Sequence, residues 1–273
     1  MRNIKIIPTG GLCNRMRAIA SGIFIADRLH TPATIYWNNS RGLKANFADL
    51  FCPINSPSVK LIENKKWIFN IGSTREYLYR WPILQLLYSR HVIFNYSTNK
   101  GDIFKRIKEN KKNMMLISCY KMSEVVKMSD LFIPQPHIQK LIDSITSTFA
   151  SHTVGVHIRR TDNVASISES PVELFIEAMQ AEIDQDNNVR FYLASDDESV
   201  KEQLRNTFPN RIISMDQKAD RESLDGMING VVELFCLSKT AKIYGSYASS
   251  YSQTAAEIGN TEYVQILKSN PVK

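Results

Sequence analysis

The sequence predicts an α/β fold built on parallel sheets, and three observations carry that expectation. Short apolar runs alternate with segments of helical periodicity through the whole second half of the chain. At the N-terminus a strand-like run passes through a glycine turn straight into an amphipathic segment, and a second strand-like run follows. The 273 residues are 43% hydrophobic and 22% charged, the balance of a chain that buries a core. Their number fits one large domain or two of ordinary size.

Taken in order, Asn3-Ile4-Lys5-Ile6-Ile7 reads as the first strand. It runs into Thr9-Gly10-Gly11, a turn that glycine tolerates best. A helix is expected over 14–29, where Met16, Ile19, Ala20, Ile23, Ala26 and Leu29 recur near helical spacing. Residues 33–37 form a second strand, which completes a βαβ start and implies a parallel sheet. The stretch 40–110 shows no single period; it holds short aromatic-rich segments, a helix over 75–89 and a strand over 91–94. Residues 114–119 form another buried strand. Pro134 and Pro136 mark a linker, because proline blocks helix continuation on both sides. The expected domains are therefore 1–135 and 136–273.

The second half alternates cleanly. Strand 153–158 precedes helix 171–183, strand 189–194 precedes helix 198–208, and strand 211–215 precedes helix 223–237. Strand 241–244 precedes helix 250–258, and a last strand at 263–267 closes the set. That order is Rossmann-like, and ligands of such sheets sit outside the C-terminal ends of the strands.

Charge and cysteine content exclude several classes. Residues 1–150 carry 22 basic and 9 acidic side chains, net +13, and residues 151–273 carry 12 and 18, net −6. A uniformly basic nucleic-acid coat is not this pattern. Cys13, Cys52, Cys119 and Cys236 form no CxxC pair, so no zinc ribbon is expected, and free thiols in a reducing compartment are. The first eight residues are too short and too charged for a signal peptide, and no apolar run reaches the roughly 20 residues that span a bilayer. The expectation is a cytoplasmic protein.

Three strand ends of the second half carry polar groups of one kind of chemistry. His157 is followed by Arg159-Arg160-Thr161-Asp162; strand 189–194 by Ser195-Asp196-Asp197; strand 241–244 by Gly245-Ser246-Tyr247-Ala248-Ser249-Ser250-Tyr251-Ser252. Arginine forks bind phosphate oxygens bidentately. Serine hydroxyls and free amides at a helix N-terminus bind anions. A carboxylate can accept both N1–H and N2–H of guanine. Together they suit a guanine nucleotide with a diphosphate. Each piece alone also has a plain reading: the arginines as a solvated loop, Asp196 and Asp197 as helix caps or a DxD-like metal site that lacks a separated third carboxylate, Ser249 and Ser250 as caps of the last helix.

The run Gly155-Val156-His157-Ile158-Arg159-Arg160-Thr161-Asp162 resembles the HxRRxD motif of the α1,6-fucosyltransferase and protein O-fucosyltransferase superfamily. Phe191-Tyr192-Leu193-Ala194-Ser195-Asp196-Asp197, with the helix and Phe208-Pro209-Asn210 after it, resembles the second motif of that family. Glu233-Leu234-Phe235-Cys236-Leu237-Ser238 and Ser249-Ser250-Tyr251-Ser252-Gln253 resemble the third. The likeness spans residues 153–259 in order and spacing. It implies a GT-B-like α/β architecture of two facing Rossmann-like domains, with a basic acceptor-side N-terminal domain and a GDP-sugar-binding C-terminal one. It implies an inverting glycosyltransferase that uses GDP-β-L-fucose and needs no metal or other cofactor. Residue by residue, Arg159 would neutralise the β-phosphate, and His157 with Asp197 or Asp196 would hold guanine and ribose. Ser249, Ser250 and Ser252 would hydrogen-bond the phosphates, and Arg160 with Asp162 would shape the loop as an internal ion pair.

Past Asp162 the sequence departs from the pattern of these enzymes, which place a lysine next and a glutamate a few residues on; here Asn163 follows. Glu169 is the nearest carboxylate and the candidate general base, alternatively a solvated acid or a cap for the next helix. Gly10-Gly11-Leu12-Cys13-Asn14-Arg15 resembles the glycine-rich first loop of fucosyltransferases, with Gly10, Gly11, Asn14 and Arg15 expected near the donor; the other reading is a tight turn into a helix. Cys13 lacks the His–Asp pattern of a nucleophile. Lys60, Lys65 and Lys66, and the stretch 100–112 with Lys105, Arg106 and Lys108, could meet an anionic membrane or form a solvated face. The partners expected are a GDP-sugar and a glycan acceptor, with no nucleic acid and with peripheral association at the inner membrane face. Two other functions remain open: transfer from another nucleotide-sugar, and non-catalytic binding of an anionic polymer.

Overall fold

The computed structural model describes residues 3–40, 42–64, 71, 79, 82, 83, 90–94, 114–123, 126–161 and 163–269. The chain divides into two compact units, Met1–Gln135 with Arg221–Leu224, and Pro136–Asp220 with Asp225–Lys273.

The first unit holds β1 (Ile4–Pro8), α1 (Leu12–Arg28), β2 (Ala33–Trp37), α2 (Phe47–Leu50), β3 (Val59–Glu63), β4 (Arg90–Phe94), β5 (Met114–Ser118) and α3 (Met128–Leu131). The strand order is β3-β2-β1-β5-β4, and every pairing is parallel. The central strand β1 buries Ile4, Ile6 and Ile7 on both faces, with Lys5 half-buried between them. Full burial of a side chain such as Ile6 or Leu116 contributes about 1.5–3 kcal/mol. Trp37, at the end of β2, donates its indole N–H to Ala45 O at 3.0 Å and meets Phe47 edge-on, and Phe47, Phe51 and Phe132 pack together beyond it.

The second unit holds α4 (Pro136–Thr146), β6 (Thr153–Ile158), α5 (Val164–Glu169), α6 (Val172–Gln185), β7 (Arg190–Ser195), α7 (Glu198–Thr207), β8 (Ile212–Ile213), α8 (Leu224–Leu237), β9 (Lys242–Gly245), α9 (Ser250–Gly259) and β10 (Glu262–Gln265). Its order is β10-β9-β6-β7-β8, again parallel throughout. Val154, Val156, Ile158, Phe175, Phe191 and Leu193 form the centre of its core.

Several expected elements change. Pro134 is no free linker: it bridges Phe51, and Gln135 N–H donates to Leu50 O, so the first unit holds the chain up to that point. Pro136 then opens α4, where a missing N–H is harmless. The strand expected over 211–215 shrinks to β8. Beyond it the Ser214 hydroxyl accepts from Arg205 and the Met215 carbonyl from Lys201, so side chains take the place of ladder bonds. β3, α4 and α5 were not expected. The expected helix over 75–89 lies outside the described residues apart from 79, 82 and 83. Lys65, Lys66, the basic stretch 100–112 and Asp162 lie outside them too. Among the described residues no helix is long and apolar enough to cross a membrane.

Candidate active site

In the second sheet, β6 comes first in chain order, with β7 on one side and β9 on the other, so the order reverses between β6 and β9. The C-terminal ends of strands at such a switch point form a ready crevice. Buried hydroxyls tie these ends together. Ser246, just past β9, donates its N–H to His157 O at 3.2 Å, and its Oγ accepts from the Arg159 N–H at 3.0 Å. Ser195 Oγ donates to Ile158 O at 2.8 Å. Gly245 is required by close approach: a Cβ there would collide with Ser252 Oγ. Ala248 takes a left-handed φ of 50°, which turns the chain into α9.

The two aspartates after β7 separate in role. Asp196 accepts from Arg160 N–H at 2.7 Å through Oδ1 and from the Thr161 hydroxyl at 2.7 Å through Oδ2, so it braces the β6 loop. Asp197 caps α7, accepting from the Ser199 N–H at 2.9 Å and hydroxyl at 2.6 Å. Those Ser199 hydrogen bonds hold its carboxyl below the usual range. Arg160 donates to Ser170 O at 3.3 Å and Ile167 O at 3.4 Å, which fastens the loop to α5. Arg159 is half-buried at the strand end.

His157 is buried, its ring stacked on Tyr251 at a 4.9 Å centroid distance and its Nδ1 3.4 Å from Ser249 Oγ. Burial pushes its pKa down to about 4, so the imidazole is neutral near pH 7. Ser249 is the N-cap residue of α9, yet its side chain makes no cap bond and turns to His157 instead. Ser252 Oγ returns to Ser249 O at 3.4 Å, and Ser250 is half-buried. Glu169 ends α5 rather than lying in an open loop. The helix is held by Ser166 Oγ and Ser170 Oγ, which bond the carbonyl and amide of Tyr247, and by Lys268 N–H on the Glu169 carbonyl.

In the first unit, Gly10 (φ 80°) must be glycine, since a Cβ would also meet Asn14 Nδ2 at 3.1 Å and Cys119 Cβ at 3.3 Å. Gly11 is the N-cap residue of α1, without a side-chain cap bond, and Arg221 lies against it. Arg15 is one of the residues of this loop expected near the donor. It is 1% exposed, and its guanidinium donates to Gly10 O at 2.8 Å, Asn38 O at 2.5 Å and Ser40 Oγ at 2.7 Å, over the Trp37 ring. With one hydrogen bond each from Nε, Nη1 and Nη2, it shapes the glycine loop. Cys13 is buried.

Residues 37–261 match the family model for the alpha-(1,6)-fucosyltransferase N- and catalytic domains, well over half of the chain. The chain belongs to this fucosyltransferase family. It is a glycosyltransferase, and its two parallel-sheet units are those of a GT-B protein. Its fold is similar to that of NodZ α-1,6-fucosyltransferase, in a crystal soaked with GDP-fucose (TM-score 0.67, 16% identity, 100% of this chain and 97% of that one). It is also similar to Arabidopsis thaliana FUT1 R284K in complex with GDP (0.59, 14%, 97% and 70%) and to POFUT1 in complex with GDP (0.56, 12%, 97% and 98%).

Two buried charges in this fucosyltransferase were not among the expected site residues. Glu233, on α8, is 4% exposed, and its Oε1 has no hydrogen-bond partner among the described residues. Burial pushes its pKa up to about 7, partly offset by Lys201. Lys201, on α7, is 2% exposed, with its Nζ 3.9 Å from Glu233 Oε1 and donating to Met215 O at 3.2 Å. Both carried a readable signal. Glu233 interrupts the apolar run from Val231 to Leu237, and Lys201 falls on the stripe of Val200, Leu204 and Phe208.

Proposed function

We propose that this fucosyltransferase moves L-fucose from GDP-β-L-fucose to a hydroxyl of a glycan, inverting the anomeric centre without a metal ion. One observation carries the reading: Arg159, neutral His157 and the α9 N-terminus meet at the switch point of the second sheet, with Ser249 Oγ turned to His157 and away from its own helix. The GDP-fucose soaked into the NodZ crystal and the GDP in the FUT1 and POFUT1 crystals support the same nucleotide.

The residues would share the work as follows. Negative charge grows on the departing GDP, and Arg159, the Ser250 hydroxyl and the α9 amides would stabilise it. One such fixed donor is worth about 2.7–4 kcal/mol in a transition state. Asp196 and Asp197 already serve the loop and the helix, so the carboxylate that reads guanine N1–H and N2–H is assigned to Glu233. Tyr251 places it: it stacks on His157 and donates its hydroxyl to Gly230 O at 2.6 Å, one turn before Glu233 on α8. Glu169 would take the acceptor proton as the new C1–O bond forms opposite the breaking C1–O(phosphate) bond.

The test is calorimetry with GDP and GDP-fucose in EDTA, followed by transfer assays against GDP-mannose, UDP- and dTDP-sugars, with the product anomer read by NMR. Binding and fucose transfer in EDTA are expected. No signal from either ligand sinks the donor assignment, and collapse of turnover in EDTA sinks the metal-free step. The net +13 of residues 1–150 further suggests an anionic or membrane-linked acceptor on the cytoplasmic side.

A further inference from the structure

A carboxylate buried in a helix among apolar neighbours would ordinarily be neutralised. What stands beside Glu233 therefore decides whether it can accept two N–H bonds. Asp196 and Glu198 face it with like charge and favour its protonated form. Tyr192 on β7 and Cys236 on α8 feel its field, and burial pushes both of their own pKa values up. The cation at hand is Lys201. Its Nζ is fixed between the Met215 carbonyl at 3.2 Å, Glu198 Oε2 at 3.4 Å and Glu233 Oε1 at 3.9 Å. Glu198 is more than half exposed, whereas Lys201 and Glu233 are both buried, so the Lys201–Glu233 interaction is the less screened of the two.

We propose that Lys201 is a positioning residue for donor recognition: its buried ammonium favours the ionised form of Glu233, and so governs how tightly the purine edge of the donor is held. The inference rests on the assignment of Glu233 to the guanine. Its sign is definite. Glu233 accepts from N1–H and N2–H only when ionised, so GDP affinity falls as pH drops through the Glu233 midpoint, near 7. Without Lys201 the midpoint moves upward. A shift of one unit lowers the ionised fraction at pH 7 from about one half to about one tenth, so GDP binds about fivefold more weakly there, recovered in alkali.

The experiment is calorimetric titration of GDP and inosine 5′-diphosphate, which lacks the N2 amine, between about pH 6 and 8.5. Wild type is compared with Lys201→Met, Glu233→Gln and the double variant, which replaces the pair with neutral near-isosteres and protects against simple misfolding. The titration of the nucleotide itself is common to all four. Lys201→Met should raise the midpoint, while Glu233→Gln and the double variant should bind weakly, without a protein-borne midpoint and without preferring GDP to the inosine analogue. A Lys201→Met profile parallel to wild type at every pH overturns the role of Lys201. Glu233→Gln retaining the midpoint and the preference overturns the base assignment, and with it this inference. GDP failing to bind wild type at any pH overturns the donor reading itself.

Discussion

Arg15 in the first unit and Glu233 in the second are both almost wholly buried charges beside a strand-end loop, and they are treated in opposite ways. Arg15 gives hydrogen bonds from three nitrogens to the protein, two of them to backbone carbonyls, and lies over Trp37. Burial lowers its pKa only to about 10, so it stays charged at neutral pH. Glu233 keeps one oxygen without a hydrogen bond among the described residues, and burial carries it near neutrality. The first charge is spent inside the fold and makes a loop rigid. The second holds capacity back, at a standing expense in stability. A buried charge that the fold satisfies is architecture, and one it leaves short is a place for a ligand.

The largest expected effect isolates the ligand side of that contrast. Arg159→Ala should lower turnover about 10²–10³-fold with the fold retained, since its expected work is on the departing phosphate. Kinetics beside a thermal melt check it, and retained turnover would contradict the phosphate role. Arg15→Met should do the reverse, destabilising by on the order of 3 kcal/mol in urea unfolding because buried acceptors lose a charged donor. A stable but inactive variant would return Arg15 to the list of ligand contacts.

Glu233→Gln sharpens the comparison through pH. Its folded pKa is raised from 4.5 to about 7, so this group favours the folded state fully below 4.5, and the advantage is lost as pH rises through 7. Relative to wild type, the Gln variant should gain on the order of 3 kcal/mol between pH 5 and pH 8. Paired urea titrations at the two pH values check it, and a constant difference would remove the stored strain. The smallest effect separates the two aspartates. Asp197→Ala should forfeit about 1 kcal/mol as a lost cap, with GDP affinity within twofold of wild type. A tenfold weaker complex would show that Asp197 touches the donor as well.

Much of this was legible beforehand. The strand ends carrying His157, Arg159, Asp196 and Ser249 were visible because strands buried on both faces read as apolar runs, and each gives way to a cluster of polar residues. The division of labour between Asp196 and Asp197 was not, because adjacent carboxylates look alike until one faces the neighbouring loop and the other its own helix. Ser195 and Ser246 were in view as letters, but their task of joining neighbouring strand ends exists only across strands far apart in sequence. The internal partners of Arg15 were hidden for the same reason: Asn38 and Ser40 are far from it in the chain and near it in space.

The sequence by itself determined the periodicities, the two parallel sheets and the order of the chemical groups along the chain. These follow from local sterics and from which residues leave water. Tertiary structure alone decided which of those groups are consumed by the fold and which keep an unspent donor or acceptor. That depends on partners met through chain reversal, on the order β10-β9-β6-β7-β8, and on the loss of solvent around Lys201 and Glu233.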